Sequence, residues 1–107
     1  MSQAKLVDAH THLNDPKIFD RYQELLKEFE ASGGVALTNI GTDRQRNERA
    51  IHIAKNNPTN VKVFAAIGYH PDVVINAKDE LNIDMLIQQL KQQILENTDY
   101  VKAIGEI

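Results

Sequence analysis

Lys5-Leu6-Val7-Asp8-Ala9 runs directly into His10-Thr11-His12, and how this stretch is read decides the fold. Lys5 to Ala9 is short and mostly apolar and leads into polar residues, the pattern of a buried strand that ends in a loop. Three further stretches rich in β-branched and small apolar residues have the same character: Val35 to Ile40, Val61 to Ile67 and Val101 to Glu106. The intervals between them carry helical periodicity. In Pro16 to Ala31, Ile18, Phe19, Tyr22, Leu25, Leu26 and Phe29 recur at helical spacing. Asp15-Pro16 offers an N-cap and a first-turn proline, and Gly33 and Gly34 permit the positive φ that ends a helix. Asp43 to Lys55 has Thr42 or Asp43 as its cap, Ala50, Ile51 and Ala54 as an apolar face, and Asn56-Asn57-Pro58 as its stop. In the third interval Ile83, Leu86, Ile87, Leu90 and Ile94 predict an amphipathic helix, with Asn82 placed to cap it. The order β-α-β-α-β-α-β predicts an α/β domain of parallel strands joined by right-handed crossovers.

Composition narrows the function classes. The 107 residues carry 12 Lys and Arg against 15 Asp and Glu, a net charge of −3. Such a chain has no electrostatic footprint for sequence-independent DNA binding, so any nucleic-acid contact must be local or metal-assisted. Without cysteine, neither a disulfide framework nor a thiolate metal site can form. No apolar run approaches the roughly 18 residues of a membrane span, and Met1 to Lys5 lacks the layout of a signal peptide, so the expected location is cytoplasmic, with no membrane partner. Gly-x-Gly-x-x-Gly, Walker and Gly-x-Ser-x-Gly motifs are absent from the sequence, which removes dinucleotide, nucleoside triphosphate and serine-esterase readings.

Chemistry is expected where strands end, because parallel α/β sheets gather their reactive groups at the carboxyl edge. Alternate residues of a strand share a face, so His10 and His12 should point the same way and offer two imidazole nitrogens to one metal ion. Asp8 has the same parity, one layer deeper. Glu106 closes the fourth expected strand among small and apolar neighbours, where a carboxylate is costly unless paired or metal-bound, and a carboxylate can bridge two divalent ions. His70, in Gly68-Tyr69-His70-Pro71, sits just past the third strand, positioned to donate to a phosphate or to a metal ligand. His52 lies within a predicted helix and reads as a surface or packing residue. Arg44, Arg46 and Arg49 read as a solvated helix face, although Arg44 is near enough to the helix start to reach the carboxyl edge. Phe19, Tyr22 and Phe29 read as core.

Three segments together resemble the TatD family of metal-dependent hydrolases: Leu6-Val7-Asp8-Ala9-His10-Thr11-His12-Leu13, Ala66-Ile67-Gly68-Tyr69-His70-Pro71, and Val101-Lys102-Ala103-Ile104-Gly105-Glu106-Ile107. Asn39-Ile40-Gly41-Thr42-Asp43 is similar to the family's loop after its second strand. The resemblance implies a (β/α)8 TIM barrel of the amidohydrolase type, of which residues 1–107 would be the N-terminal half, ending after strand 4. It implies two divalent ions (Mg2+, Mn2+ or Zn2+) and DNA as substrate, cleaved by two-metal phosphodiester hydrolysis. By the same resemblance His10 and His12 bind one metal, Glu106 acts catalytically by bridging to the second, and His70 lines the substrate pocket near the scissile phosphate. Two further histidines and a late aspartate complete the family's site and have no counterpart in this sequence, so the isolated chain is expected to bind metal weakly and turn over little.

Two other readings stay open at the sequence level. One is an amidohydrolase or lactonase of the same superfamily, disfavoured because many such enzymes place a modified lysine where Glu106 stands here. The other is a non-catalytic assembly module, in which half barrels self-associate through exposed strand edges.

Overall fold

The computed structural model describes residues 5–70 and 80–105, with the side chains of residues 80–82 left aside. Four strands, β1 (Leu6–Thr11), β2 (Gly34–Ile40), β3 (Lys62–Ile67) and β4 (Val101–Ile104), alternate with α1 (Tyr22–Ala31), α2 (Arg44–Lys55) and α3 (Glu80–Glu96). The strands form one sheet in the order β1-β2-β3-β4, every neighbouring pair parallel. This is the expected alternation, and every strand's carboxyl end lies along one edge.

All three helices pack on a single face of the sheet. Tyr22 and Leu26 of α1 and Ile53 and Ala54 of α2 enclose Leu37 and Val63. Ala50 and Ile51 of α2, together with Leu90 and Ile94 of α3, cover Ala65 and Ile67. The sequence pattern is visible here, since the apolar stripes of α1 and α2 are the buried faces. Phe19 and Phe29 pack against the same core, as expected. Period-two alternation turns Ala36, Thr38 and Ile40 of β2 and Phe64 and Ala66 of β3 toward the opposite face, which no described helix covers.

The boundaries differ from expectation at several points. Asp15-Pro16 does not start the first helix: a 3-10 turn at Phe19–Arg21 precedes α1, whose N-cap is Arg21 with no side-chain cap. The Asp15 carboxylate accepts the Lys17 N–H at 2.9 Å and its carbonyl accepts the N–H groups of Ile18 and Phe19. That local turn competes with helix initiation. Gly33 alone adopts positive φ, at 99°. Gly34 already belongs to β2, where an added Cβ would strike the Phe29 ring. Asp43 rather than Thr42 caps α2, accepting the Arg46 N–H at 2.8 Å. Asn82 lies inside α3 and does not cap it, because Glu80 and Leu81 already continue the helix on its N-terminal side. Ile87 and Leu95 of α3 stay exposed.

The largest correction concerns the outer strands. β1 and β4 were expected to be buried like β2 and β3, but they are the two sheet edges and are largely exposed. Val7 is 68% and Ile104 60% exposed. Burial of a parallel strand requires neighbours on both of its sides, and among the described residues only β2 and β3 have a strand on each side. Ile53→Ala should therefore lower unfolding stability by about 2–5 kcal/mol, while Val7→Ala should change it by less than about 0.5 kcal/mol. Urea melts of the two variants check this, and a large loss for Val7→Ala would contradict the edge assignment.

Candidate metal centre

β1 does not run straight into its histidines. Asp8 pairs with Leu37 and Thr11 with Asn39, so three steps on β1 match two on β2. This is a bulge, which inserts a residue and re-aims the side chains near it. The shift falls between Asp8 and Thr11, within the stretch that carries His10. The Asp8 carboxylate accepts the His10 backbone N–H at 3.0 Å, occupying a donor on an edge strand.

His10 and His12 nevertheless converge. Their Nε2 atoms stand 3.2 Å apart and their rings meet edge to face. His12 Nδ1 lies 2.9 Å from the Ile40 carbonyl oxygen at the end of β2. A carbonyl only accepts, so Nδ1 carries the hydrogen and Nε2 of the neutral ring presents its lone pair. Two nitrogens each about 2.0–2.1 Å from one ion stand roughly 3.4 Å apart at a tetrahedral angle and roughly 2.9 Å apart at an octahedral right angle. The observed spacing falls between these, and the pair fits two ligands of a single divalent cation. Among the described residues, no group of three or more His, Cys, Asp or Glu side chains is gathered to hold an ion. Glu106, the expected bridging carboxylate, lies outside the described residues.

His70 follows β3 at the same edge, its backbone N–H donating to Thr42 carbonyl oxygen at 2.7 Å. This bond ties the loop after β3 to the loop after β2. Its neighbour Tyr69 is buried, and among the described residues its hydroxyl has no hydrogen-bond partner. Burial raises the Tyr69 phenol above its ordinary value; nearby Arg44 opposes this and Asp43 adds to it. The Arg44 side chain itself lies on the solvated face of α2, paired with Glu48 at 3.3 Å. His52 stays away from the carboxyl edge, packed against the rings of Phe19 and Tyr22.

The layer beneath the histidines consists of three asparagines that the sequence reading passed over, all fully buried: Asn14, Asn39 and Asn47. Asn39 Oδ1 accepts the Leu13 N–H at 2.9 Å. Asn14 Nδ2 donates to the carbonyls of Ile40 and Arg46, each at 3.0 Å. Asn47 of α2 grips Gly68 beyond β3, donating to its carbonyl at 3.0 Å and accepting its N–H at 3.3 Å. Gly41 leaves the room this requires, since a Cβ there would collide with the Asn47 amide. The signal was present: Asn39 interrupts an apolar strand and Asn47 sits on the buried side of α2, where an amide must find partners.

The sequence pattern of the family described as TatD related DNase matches residues 7–107. Among solved structures, the crystal structure of a hydrolase TatD family protein from Entamoeba histolytica is similar with a TM-score of 0.77 and 28% sequence identity. The match covers 99% of this chain and 38% of that one, so the chain spans well under half the length of that relative. No curated protein matches the chain. Among the described residues, no helix is long and apolar enough to cross a membrane.

Removing the Tyr69 hydroxyl tests the electrostatics of this edge. A phenol raised in the folded state contributes stability that is complete below its unfolded value near 10 and is lost as pH climbs through the folded value. Tyr69→Phe should leave stability at pH 7 unchanged or slightly higher, because it deletes a buried hydroxyl without a described partner. It should also flatten part of the stability decline above about pH 10. Denaturant melts between neutral and alkaline pH measure both, and a loss of more than about 1 kcal/mol at pH 7 would mean that the hydroxyl is bonded after all.

Proposed function

Because the chain belongs to the TatD-related DNase family, and its fold is part of a TatD TIM barrel, we propose that it forms the N-terminal, metal-binding portion of a divalent-metal-dependent deoxyribonuclease. In this reading residues 1–107 contribute the first four strands of a single (β/α)8 barrel. The observation that carries the proposal is the convergence of the His10 and His12 Nε2 atoms at 3.2 Å, at the carboxyl edge where barrel enzymes hold their reactive groups.

The chain's own residues have distinct tasks. His10 and His12 supply two nitrogen ligands, and the Ile40 carbonyl fixes the ring of His12 so that Nε2 is free to ligate. Glu106 would supply a carboxylate ligand for a second cation. His70, carried by the loop tied to Thr42, donates to a non-bridging phosphate oxygen and positions the phosphodiester. Bound at such a site, divalent ions supply an activated water at neutral pH and neutralise charge on the phosphoryl and leaving oxygens. Local neutralisation of this kind lets a chain of net charge −3 engage a polyanion. An amide- or lactone-cleaving relative would use the same histidines, and Glu106 in place of a lysine supports the phosphoesterase reading.

Calorimetric titration of the chain with Mn2+ or Zn2+ tests the ligand assignment. Weak binding is expected, and His10→Ala should weaken it at least about tenfold, the loss that follows when a metal's support is removed. Unchanged affinity in His10→Ala would contradict the assignment. With Mn2+ present, the 107-residue chain should release few nucleotides from DNA, because it carries only part of the family's ligand set. Brisk metal-dependent cleavage abolished by His10→Ala would show that this portion suffices by itself.

A further inference from the structure

The Ile40 carbonyl oxygen accepts two hydrogen bonds, one from His12 Nδ1 at 2.9 Å and one from Asn14 Nδ2 at 3.0 Å. A carbonyl has two lone pairs, so both are used, and the occupation of one leaves a single direction for the other donor. The remaining hydrogen of the Asn14 amide goes to the Arg46 carbonyl in the first turn of α2. The Asn14 side chain thereby clamps the end of β2 to the start of α2 and holds the Ile40 carbonyl in a defined orientation. Asn39 holds the intervening residue through the Leu13 N–H, and the His12 carbonyl accepts the Asp15 N–H at 3.0 Å. The backbone on either side of Leu13 is thus tied down, and only the His12 ring needs orienting.

Stability alone does not account for Asn14. Its side chain is fully buried, and among the described residues its Oδ1 has no partner. A buried acceptor left unsatisfied is destabilising, and an apolar residue of the same size would avoid that cost. What the amide offers beyond packing is its pair of N–H donors, one of them on the carbonyl that orients a candidate metal ligand.

We propose that Asn14 is a positioning residue for His12: by occupying one lone pair of the Ile40 carbonyl, it holds that oxygen where it traps the hydrogen of His12 on Nδ1 and turns the Nε2 lone pair toward His10. The part that concerns metal affinity rests on the reading that the two histidines share a cation. The part that concerns the imidazole tautomer does not.

The test separates the two. Nitrogen-15 NMR of the imidazoles reports the His12 tautomer directly. The wild-type chain should hold His12 with its hydrogen on Nδ1, and Asn14→Leu should shift it to a mixture of tautomers. The same variant should weaken Mn2+ or Zn2+ binding by about 10–100-fold, the range seen when a residue behind a metal ligand is removed. If Asn14→Leu folds, by circular dichroism, with the tautomer and the affinity both unchanged, Asn14 is merely structural and the proposal is overturned. If it does not fold, the wild-type spectrum still decides, because a His12 ring that carries its hydrogen on Nε2 overturns the proposal. Should neither protein bind metal while the tautomer shifts as stated, the positioning role stands and the metal reading fails.

Discussion

Three amide side chains, buried with no exposure at all, join the carboxyl edge of the sheet, and the site depends on them. Asn39 links β2 to the turn after β1, Asn14 links that turn to β2 and α2, and Asn47 links α2 to the end of β3. Each hydrogen bond adds only about 0.5–1.5 kcal/mol net, yet every one spans two elements that the apolar core alone would leave free to slide. Hydrophobic contacts are non-directional, whereas an amide fixes a particular atom of one strand against a particular atom of the next. The carboxyl edge is therefore a directed polar layer set above the apolar core, and the imidazoles of His10 and His12 stand on it.

The sheet and its helical cover were legible in the sequence because both rest on periodicity. β2 and β3 are predominantly apolar runs, and the stripes of α1 and α2 recur at helical spacing, so most of their buried faces could be named from residue order. The outer strands were not legible in the same way. Leu6 and Val7 have the composition of a buried strand, but burial is a property of neighbours, and among the described residues β1 has a strand neighbour on one side only. Local turn chemistry also defeated the pattern at Asp15, whose carboxylate and carbonyl both bond within the next four residues and so delay α1 to Tyr22.

The candidate site was legible to the extent that it is encoded by spacing. His10 and His12 were paired because they are two residues apart at a strand end, and they do meet, in a stretch where the register of β1 against β2 shifts by one residue. The supporting amides could not be paired from sequence, since Asn14 finds its acceptors 26 and 32 residues away. A polar residue within an apolar run signals that a partner exists without saying which. Family membership and geometry then reinforce each other: the histidines stand at the carboxyl edge of a sheet whose fold is that of part of a TatD barrel.

Anomalous diffraction from crystals of the chain grown with Mn2+ or Zn2+ tests the central claim most directly, because it locates a bound ion without reference to activity. A Zn2+ peak about 2.0–2.1 Å from the Nε2 atoms of both His10 and His12 is expected, with His12 Nδ1 still on the Ile40 carbonyl. An ion bound elsewhere, or held by one of the two imidazoles alone, would contradict it.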